Sequence, residues 1–190
     1  MKKTLLIAAM ALISVCGFAQ KFAHINTQEL VQLCPEADAA RSTMTAASQE
    51  AQETYQAMVD EFNTKYQTYQ QKSSTWTQTI KESKEKELTE IQQRIQEFSQ
   101  NVQMELQQRE QELYAPIYEK VNNTIKDLAK KGNYIYVFDA ATILYIDSAQ
   151  STDLTPEARK VLNIPADRTL ESLQAELQAA AQAAQNAQQQ

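Results

Sequence analysis

The sequence predicts an α+β protein in which a small β-sheet body, with about three strands and a short helix, carries a long antiparallel helical hairpin. Between Pro35 and Gly132 there is no glycine, and Pro116 is the single proline. Apolar residues recur there at helical spacing, whereas one short β-prone segment precedes this stretch and two follow it. Helix of this length exceeds what one core could cover, so we expect the hairpin to stand out as an arm.

Residues 1–19 have the pattern of a cleaved secretory signal peptide. Two lysines near the start are followed by an apolar stretch from Leu5 to Val15 and by small residues that end at Ala19. That stretch is too short for a membrane span, which needs about 20 apolar residues. We therefore expect export and a mature chain that begins at Gln20.

The chain has two cysteines, Cys16 and Cys34. Cleavage after Ala19 would leave Cys34 without an intrachain partner, which excludes a disulfide-stapled fold. Cys34 could bridge two copies, but a small packed residue before a helix is the commoner role. A lipid on Cys16 is the alternative to cleavage, and the bulky Val15 before it disfavours that alternative.

The mature chain is predicted to be acidic. The sequence has 18 lysines and arginines against 24 acidic residues, and loss of two lysines with the signal peptide gives a net charge of −8. Nucleic acid is therefore disfavoured as a partner, because phosphate binding needs a basic face. Five lysines do gather towards one end of the hairpin: Lys65, Lys72, Lys81, Lys84 and Lys86.

Each arm helix carries one narrow apolar stripe with steps of three and four residues. In the first helix the stripe is Met44, Ala47, Ala51, Tyr55, Met58, Phe62, Tyr66 and Tyr69. In the second it is Leu88, Ile91, Ile95, Phe98, Val102, Leu106, Leu113, Ile117, Val121, Ile125 and Leu128. Single stripes suit two antiparallel helices that bury these faces on each other.

We place the hairpin at residues 35–116 and its tip at 73–77. Pro116 should kink or break the second helix, and the region midway between the two prolines is poor in strong helix formers. Residues 117–128 have no partner in the first helix and should turn and pack on the body. Trp76 at the tip could contact an apolar partner or fold back against Tyr69 or Ile80, and the sequence leaves both open.

The predicted strands are Phe22–Ile25, Tyr134–Phe138 and Thr142–Ile146, which are rich in β-branched and aromatic residues. Gly132 should end the long helix as its C′ residue. Residues 139–141 would then join the last two strands as a hairpin.

A short helix should follow the strands, with Thr155 as N-cap, Pro156 at N1 and an end near Leu162. The body, residues 20–34 and 117–165, is near the lower size limit for a stable core. Its exposed sheet edges favour association between copies. The Ala/Gln-rich tail at 166–190 should be a frayed helix or disordered.

The chain resembles the Skp/OmpH family of periplasmic chaperones from about Lys21 to Ile164. The resemblance rests on the signal peptide, the helical hairpin and a set of segments: Lys21–Asn26, Leu113–Ile117, Tyr134–Asp139, Leu144–Tyr145, Asp147 and Asp153–Thr155.

The resemblance implies an ATP-independent periplasmic holdase without cofactors. It would be a homotrimer joined through the β-body, whose arms surround a cavity that binds unfolded outer-membrane proteins and prevents their aggregation. Better-known members are basic and use basic arm surfaces towards clients and lipopolysaccharide. The acidic charge here leaves lipopolysaccharide or membrane contact open.

Two sets of candidate site residues follow from the arm and the body. The client-binding candidates of arm and tip are Tyr55, Met58, Phe62, Lys65, Tyr66, Tyr69, Lys72, Trp76 and Lys81. The oligomerisation candidates of the body are Phe22, Ile25, Tyr134, Tyr136, Phe138, Ile143 and Tyr145.

No enzyme activity or metal site is predicted. Gly132 is the only glycine of the mature chain, which excludes a glycine-rich phosphate loop, and one histidine with one cysteine cannot form the usual metal cages. Asp139 and Asp147 follow apolar runs, where turn and capping roles are common. The alternative function is a structural coiled-coil spacer or adaptor of the cell envelope, whose arms would bury faces that are polar in sequence.

Overall fold

The computed structural model describes residues 20–188. They form two compact units. The first, called here the sheet unit, contains the described residues up to Pro35 and those from Tyr118 onward, and the second, the hairpin unit, is Glu36–Ile117. The predicted signal peptide, its cleavage site and Cys16 lie outside the described residues.

The sheet has three parallel strands in the order β2-β1-β3. The central strand β1 (Lys21–Ile25) pairs on one side with β2 (Tyr134–Asp139) and on the other with β3 (Ser151–Asp153). The prediction of an α+β chain with a small three-stranded sheet and long helices is confirmed.

The predicted strand Thr142–Ile146 and the hairpin that would lead into it are wrong. The carboxylate of Asp139 accepts a hydrogen bond from the N–H of Ala141 (3.0 Å), and a 3₁₀ turn covers Ala140–Thr142. This turn takes the chain out of the sheet. The third strand comes later and runs parallel to β2, whereas a tight hairpin joins only antiparallel strands.

Helix α1 (Thr27–Leu33) was not predicted. Asn26 is its N-cap, and the side-chain oxygen of Asn26 accepts a hydrogen bond from the N–H of Glu29 (3.0 Å). The pattern of Asn followed three residues later by Glu is a known helix-start signal. Cys34 caps the other end of α1 and is fully buried, which argues against a bridge between copies.

Two long helices form the hairpin. Helix α2 is Pro35–Lys72 and helix α3 is Gln78–Gly132, and between them lie a 3₁₀ turn at Ser73–Thr75 and the extended residue Trp76. Pro35 is therefore the first residue of a helix, where proline is well tolerated because its missing N–H would have no partner.

Helix α3 continues through Pro116, so the predicted break at this proline is wrong. So is the predicted turn after it, because residues 117–128 remain helical. The proline removes one backbone hydrogen bond, the one to the carbonyl of Glu112. The remaining hydrogen bonds of the 55-residue helix are sufficient to keep it continuous through Pro116. Ile117 and Val121 are buried just beyond the proline.

The end of α3 differs from the prediction at Gly132. Gly132 is the last helical residue, and the left-handed conformation belongs to Asn133, whose φ is 55°. Glycine is needed at 132 for space, because a Cβ there would overlap the ring of Tyr134. Asparagine is among the residues that tolerate left-handed backbone best.

Helix α4 (Thr155–Val161) starts one residue earlier than predicted, with Leu154 as N-cap. The carboxylate of Asp153 accepts a hydrogen bond from the N–H of Thr155 (2.8 Å). The hydroxyl of Thr155 instead accepts from the N–H of Asn26 (3.0 Å). Thr155 therefore joins α4 to the end of β1 and does not cap its own helix.

The core of the sheet unit lies under one face of the sheet. β1 contributes Ala23 and Ile25, and the other buried apolar residues of this unit come from helices or the segments beside them: Leu30, Val31, Leu33, Cys34, Val121, Leu154, Ala158, Leu162, Ile164 and Leu173. Leu173 lies on helix α5 (Leu170–Gln188), which packs on α1. The start of the predicted tail is therefore part of this core.

Arg159 joins three segments of the sheet unit. Its guanidinium pairs with Glu29 of α1 and donates to the backbone carbonyls of Pro165 (2.6 Å) and Arg168 (2.5 Å). Both side chains of the ion pair are mostly buried. The planar fork of arginine can satisfy several acceptors at once, so one side chain fixes the route of the chain between α4 and α5.

Replacing Asn133 tests the left-handed end of α3. Asn133→Ala should lower the free energy of unfolding by about 1 kcal/mol, because an L-residue with a Cβ is strained at positive φ. Asn133→Gly should lose much less, since glycine adopts this conformation without strain. Urea unfolding followed by far-UV circular dichroism measures both, and equal stability of the two variants would contradict the assignment.

Replacing Arg159 tests the junction in the sheet unit. Arg159→Lys should destabilise the fold by about 1–3 kcal/mol, because a single ammonium cannot serve the carboxylate and both carbonyls. Lys160→Ala, at the exposed next position, is the matched control and should change little. The thermal unfolding midpoints of the two variants are compared, and a lysine variant as stable as the control would show that the junction contributes nothing.

Candidate binding surfaces

Polar contacts connect the two helices of the hairpin unit. Three pairs cross from α2 to α3: Lys65 with Glu87, Tyr69 with Glu85, and Glu61 with Arg94 (3.5 Å). Residue numbers rise along α2 as they fall along α3, so the helices are antiparallel. Ile91 is the buried residue of the seam between Glu87 and Arg94, and the polar pairs lie beside it.

Glu87 is the centre of this network. It accepts from Lys65 across the hairpin and from Lys84 one turn earlier on its own helix (2.9 Å). The hydrogen bond from Lys65, followed by that from Lys84, lowers the pKa of Glu87 to about 2. The same contact raises the pKa of Lys65. Both groups are therefore charged across the whole neutral range.

Five lysines were expected to make the tip end of the hairpin positive, but ion pairs neutralise three of them. Lys65, Lys84 and Lys86 each form an ion pair with a glutamate. Lys72 and Lys81 have no acidic partner among the described residues. The charge that could attract an anionic partner is thus concentrated in the two lysines nearest the tip.

The aromatic residues of the arm divide into two groups. Tyr55 and Tyr66 are exposed, while Met58, Phe62 and Tyr69 are half-buried. Phe62 and Tyr66 stack with ring centres 5.8 Å apart. Part of the stripe therefore belongs to the seam and part remains on the surface, and a role in binding stays a prediction for both.

Trp76 folds back on the hairpin. Its ring meets that of Tyr69 edge to face, with centres 5.9 Å apart. It also lines a small cleft of about 90 Å³ with Lys65, Lys84 and Leu88. The indole is half-buried, and a contact with a partner at the tip stays a prediction.

The open face of the sheet is aromatic. Phe22 of β1 stacks with Tyr136 and Phe138 of β2, with ring centres 6.4 and 6.5 Å apart, and Tyr136 and Phe138 are 5.9 Å apart. In the register, Phe22 lies opposite Tyr136 and His24 opposite Phe138. Because side chains alternate along strands, this face is opposite to the one that carries Ala23 and Ile25.

The segment after β2 extends this apolar surface. Ile143, Tyr145 and Ile146 line a cleft of about 290 Å³ together with Phe22 and Phe138. Tyr145 is 81% exposed and Leu144 is fully exposed. An exposed apolar patch of this kind usually marks an interaction surface.

The structure brings together most of the oligomerisation candidates and separates two of them. Phe22, Tyr136, Phe138, Ile143 and Tyr145 share the open face and its cleft. Ile25 is buried on the other face, and Tyr134 is half-buried beside Gly132. Sequence reasoning missed Leu144 and Ile135, which are exposed, although both lie in the β-prone segments already identified.

The same cleft is also lined by the three residue types of a hydrolytic triad, His24, Ser151 and Asp147. His24 Nδ1 lies 2.9 Å from the Ser151 hydroxyl. Asp147, however, accepts from the N–H of Ala149 as a turn residue (2.9 Å), and the described residues include no hydrogen bond from it to His24. A hydrolytic triad requires a carboxylate that orients the imidazole, so the arrangement does not support one.

Residues 20–188 contain no group of three or more His, Cys, Asp or Glu side chains that could hold a metal ion. No helix in this part of the chain is long and apolar enough to cross a membrane.

Residues 21–162 match the model of the family described as outer membrane protein (OmpH-like). The fold is similar to the crystal structure of a protein from Caulobacter crescentus CB15 described as an OmpH-like outer membrane chaperone, with a TM-score of 0.67 and 16% sequence identity, over 76% of this chain and 84% of that one. No curated relative matches the sequence.

The network around Glu87 generates a pH prediction. Glu87→Gln should lower the thermal midpoint of the hairpin at neutral pH, because it removes the carboxylate that binds two lysines. Since the pKa of Glu87 is lowered from 4.5 to about 2, its contribution is present above about pH 4.5 and is lost as the pH falls towards 2. The difference between wild type and variant should shrink over that range.

The control is Glu110→Gln on the same helix, because Glu110 is exposed and has no cationic partner among the described residues. Its difference from wild type should be small at neutral pH and on acidification. Circular dichroism at 222 nm follows both variants. A Glu87→Gln difference that stays constant down to pH 2 would show that the ion pairs do not stabilise the hairpin.

Proposed function

The chain belongs to the family of OmpH-like outer membrane proteins, and we propose that it is an ATP-independent holdase of the periplasm that binds unfolded outer-membrane proteins and prevents their aggregation. The observation that carries the proposal is the family match over residues 21–162, which covers the strands of the sheet and the whole hairpin. In the proposed form, three copies associate through their sheet units and their arms surround a cavity for the client.

The surface of the hairpin supports the proposal. Its two helices bury only a narrow seam and leave long polar faces, with exposed apolar side chains such as Tyr55, Tyr66 and Met104 set among them. Contacts of this kind are individually weak. Several arms around one client raise the effective concentration of each further contact, so many weak contacts hold the client without a specific pocket.

No nucleotide cycle is part of this mechanism. The sequence has two glycines, of which Gly132 alone lies in the described region, and a glycine-rich phosphate loop needs several. Release of the client would then depend on competition, since many weak contacts exchange one at a time. A downstream acceptor that binds the client more tightly would be sufficient to empty the cavity.

Charge gives the proposal a specific feature. The chain is acidic overall, and the cations without acidic partners nearest the tip are Lys72 and Lys81. Electrostatic attraction of anionic surfaces at this end of the hairpin would therefore depend on these two lysines and would be screened by salt. We propose no dedicated lipopolysaccharide site.

A holdase assay tests the proposal. The chain without residues 1–19 is added to an outer-membrane β-barrel protein that is diluted from urea, and light scattering follows aggregation. Tyr55→Ser combined with Tyr66→Ser should raise the concentration needed for half-suppression several-fold, because each lost ring removes an exposed apolar contact.

The matched control is Tyr55→Phe combined with Tyr66→Phe, which retains both rings and should suppress aggregation as wild type does. Circular dichroism of each variant checks that the hairpin is intact. If the wild-type chain does not reduce scattering at any ratio to the client, the holdase proposal is wrong.

A further inference from the structure

The open face of the sheet carries one side chain of a type that changes its charge near neutral pH. His24 is the single histidine of the sequence, and in the register of the central strand β1 it lies between Phe138 and Asp153. Side chains alternate along a strand, so His24 shares the open face with Phe22 and not the core face with Ala23. Histidine gains its proton between about pH 8 and pH 5.

The surroundings of the imidazole are largely aromatic. Phe22 and Phe138 line the same cleft as His24, and both rings stack with that of Tyr136. His24 itself is half-buried. In the single chain, water therefore still reaches the imidazole and can solvate its charged form.

The hydrogen bond of the ring does not depend on its charge. Nδ1 of His24 lies 2.9 Å from the hydroxyl oxygen of Ser151. A hydroxyl can donate or accept, so this contact is compatible with the neutral and with the protonated ring. Solvation and neighbouring charges therefore decide which form is favoured.

The nearest carboxylates already serve the backbone. Asp147 lines the cleft and accepts from the N–H of Ala149 (2.9 Å). Asp153, opposite His24 in the register, accepts from the N–H of Thr155 (2.8 Å). In the described part of the chain neither carboxylate forms an ion pair with the imidazole. A charge on the ring would therefore depend mainly on water for its stabilisation.

The other charged groups of the sheet unit near β1 are held in contacts of their own. Asp139 ends β2 and holds the following turn through its carboxylate. Glu29 pairs with Arg159 between α1 and α4, the helices of the other face. Tyr136 and Tyr145 on the open side are phenols, a group without charge near neutral pH. His24 is thus the group of this face on which mild acid acts.

We propose that the charge of His24 controls the association of the sheet units, which is strong when the imidazole is neutral and weak when it is protonated. The inference rests on the self-association of the proposed function and adds its regulation. A second copy on the open face removes the water that reaches the ring, and burying an unpaired charge costs far more than burying a neutral imidazole with its hydrogen bond. Each copy also brings an identical histidine, and like charges in one interface repel each other.

The direction and the size of the effect follow from proton linkage. Because association favours the neutral ring, it is fully present above the range in which histidine titrates and is lost as the pH falls through that range. Each copy whose histidine must stay neutral lowers the association constant by up to about tenfold per pH unit. Three copies together lower it by up to about a thousandfold per pH unit.

The molar mass at two pH values tests the inference. Light scattering is measured on the chain without residues 1–19 over a range of concentrations at about pH 7.5 and about pH 5.5, between which histidine titrates and carboxylates ordinarily do not. The wild type should need at least about a tenfold higher concentration to assemble at the lower pH. Circular dichroism at both pH values checks that the helices are retained.

The matched control is His24→Gln, which keeps a side chain that can hydrogen-bond but cannot gain a proton. This variant also keeps every carboxylate and the α-amino group, whose titration ordinarily falls near the same range. It should assemble equally well at both pH values. The inference is wrong if the wild type does so too, or if the glutamine variant dissociates on acidification as the wild type does.

A second measurement needs no variant. A single histidine gives one imidazole Cε1–H resonance in the NMR spectrum, and its chemical shift follows protonation directly. If assembly favours the neutral ring, dilution below the assembly concentration should move the midpoint of this titration to higher pH, because linkage is reciprocal. A midpoint that is independent of protein concentration would overturn the inference even if the glutamine variant did not assemble.

These outcomes are distinct from those that decide the proposed function. An oligomer of unchanged mass and affinity at both pH values overturns the role of His24 and leaves self-association in place. A wild-type monomer at micromolar concentration and neutral pH overturns both. An assembly that responds to pH through His24 but does not prevent aggregation of a client supports this inference and overturns the holdase.

Discussion

Within the hairpin unit, Glu36–Ile117, two helices bury one stripe each against the other, and the properties of the unit follow from that constraint. The seam contains few fully buried residues, Ile91 among them. Half-buried residues such as Phe62 and polar pairs such as Lys65 with Glu87 flank this seam. The remaining surface of both helices stays exposed, and this surface is what a client could contact.

The sheet unit meets a different constraint. Three short strands with helices on one face leave the other face uncovered, and the stacked rings of Phe22, Tyr136 and Phe138 occupy it. Small units of this kind commonly reach stability by association. Burial inside the unit is thus concentrated on one side of β1, while the side that is open carries aromatic residues suited to another protein surface.

Sequence reasoning predicted the long elements and failed at the short ones. Periodicity over many residues identified the hairpin helices, because the pattern repeats often enough to exceed chance. The strands at Phe22–Ile25 and Tyr134–Phe138 were identified by their content of β-branched and aromatic residues. Helix α1 was missed although Asn26 and Glu29 carry its start signal. Gly132 was predicted to be the C′ residue in left-handed conformation, but Asn133 has that conformation. A sequence pattern cannot distinguish a glycine needed for its backbone conformation from one needed because a side chain would not fit.

The strand predicted at Thr142–Ile146 failed for a reason of another kind. The local pattern is that of a strand, but strand formation requires a partner, and a partner is a property of the whole assembly that no local window contains. Candidate binding residues have the same limit. Tyr55 and Phe62 belong to one stripe, yet only contact with the second helix decides that the first is exposed and the second half-buried.

The position of β1 determines the order in which the chain can fold. This strand stands near the beginning of the described chain, and both of its neighbours come more than a hundred residues later. Closing so long a loop is slow compared with forming a helical hairpin from local contacts. We therefore expect the hairpin to form before the sheet. Until the sheet forms, Phe22 to Ile25 have no strand to pair with.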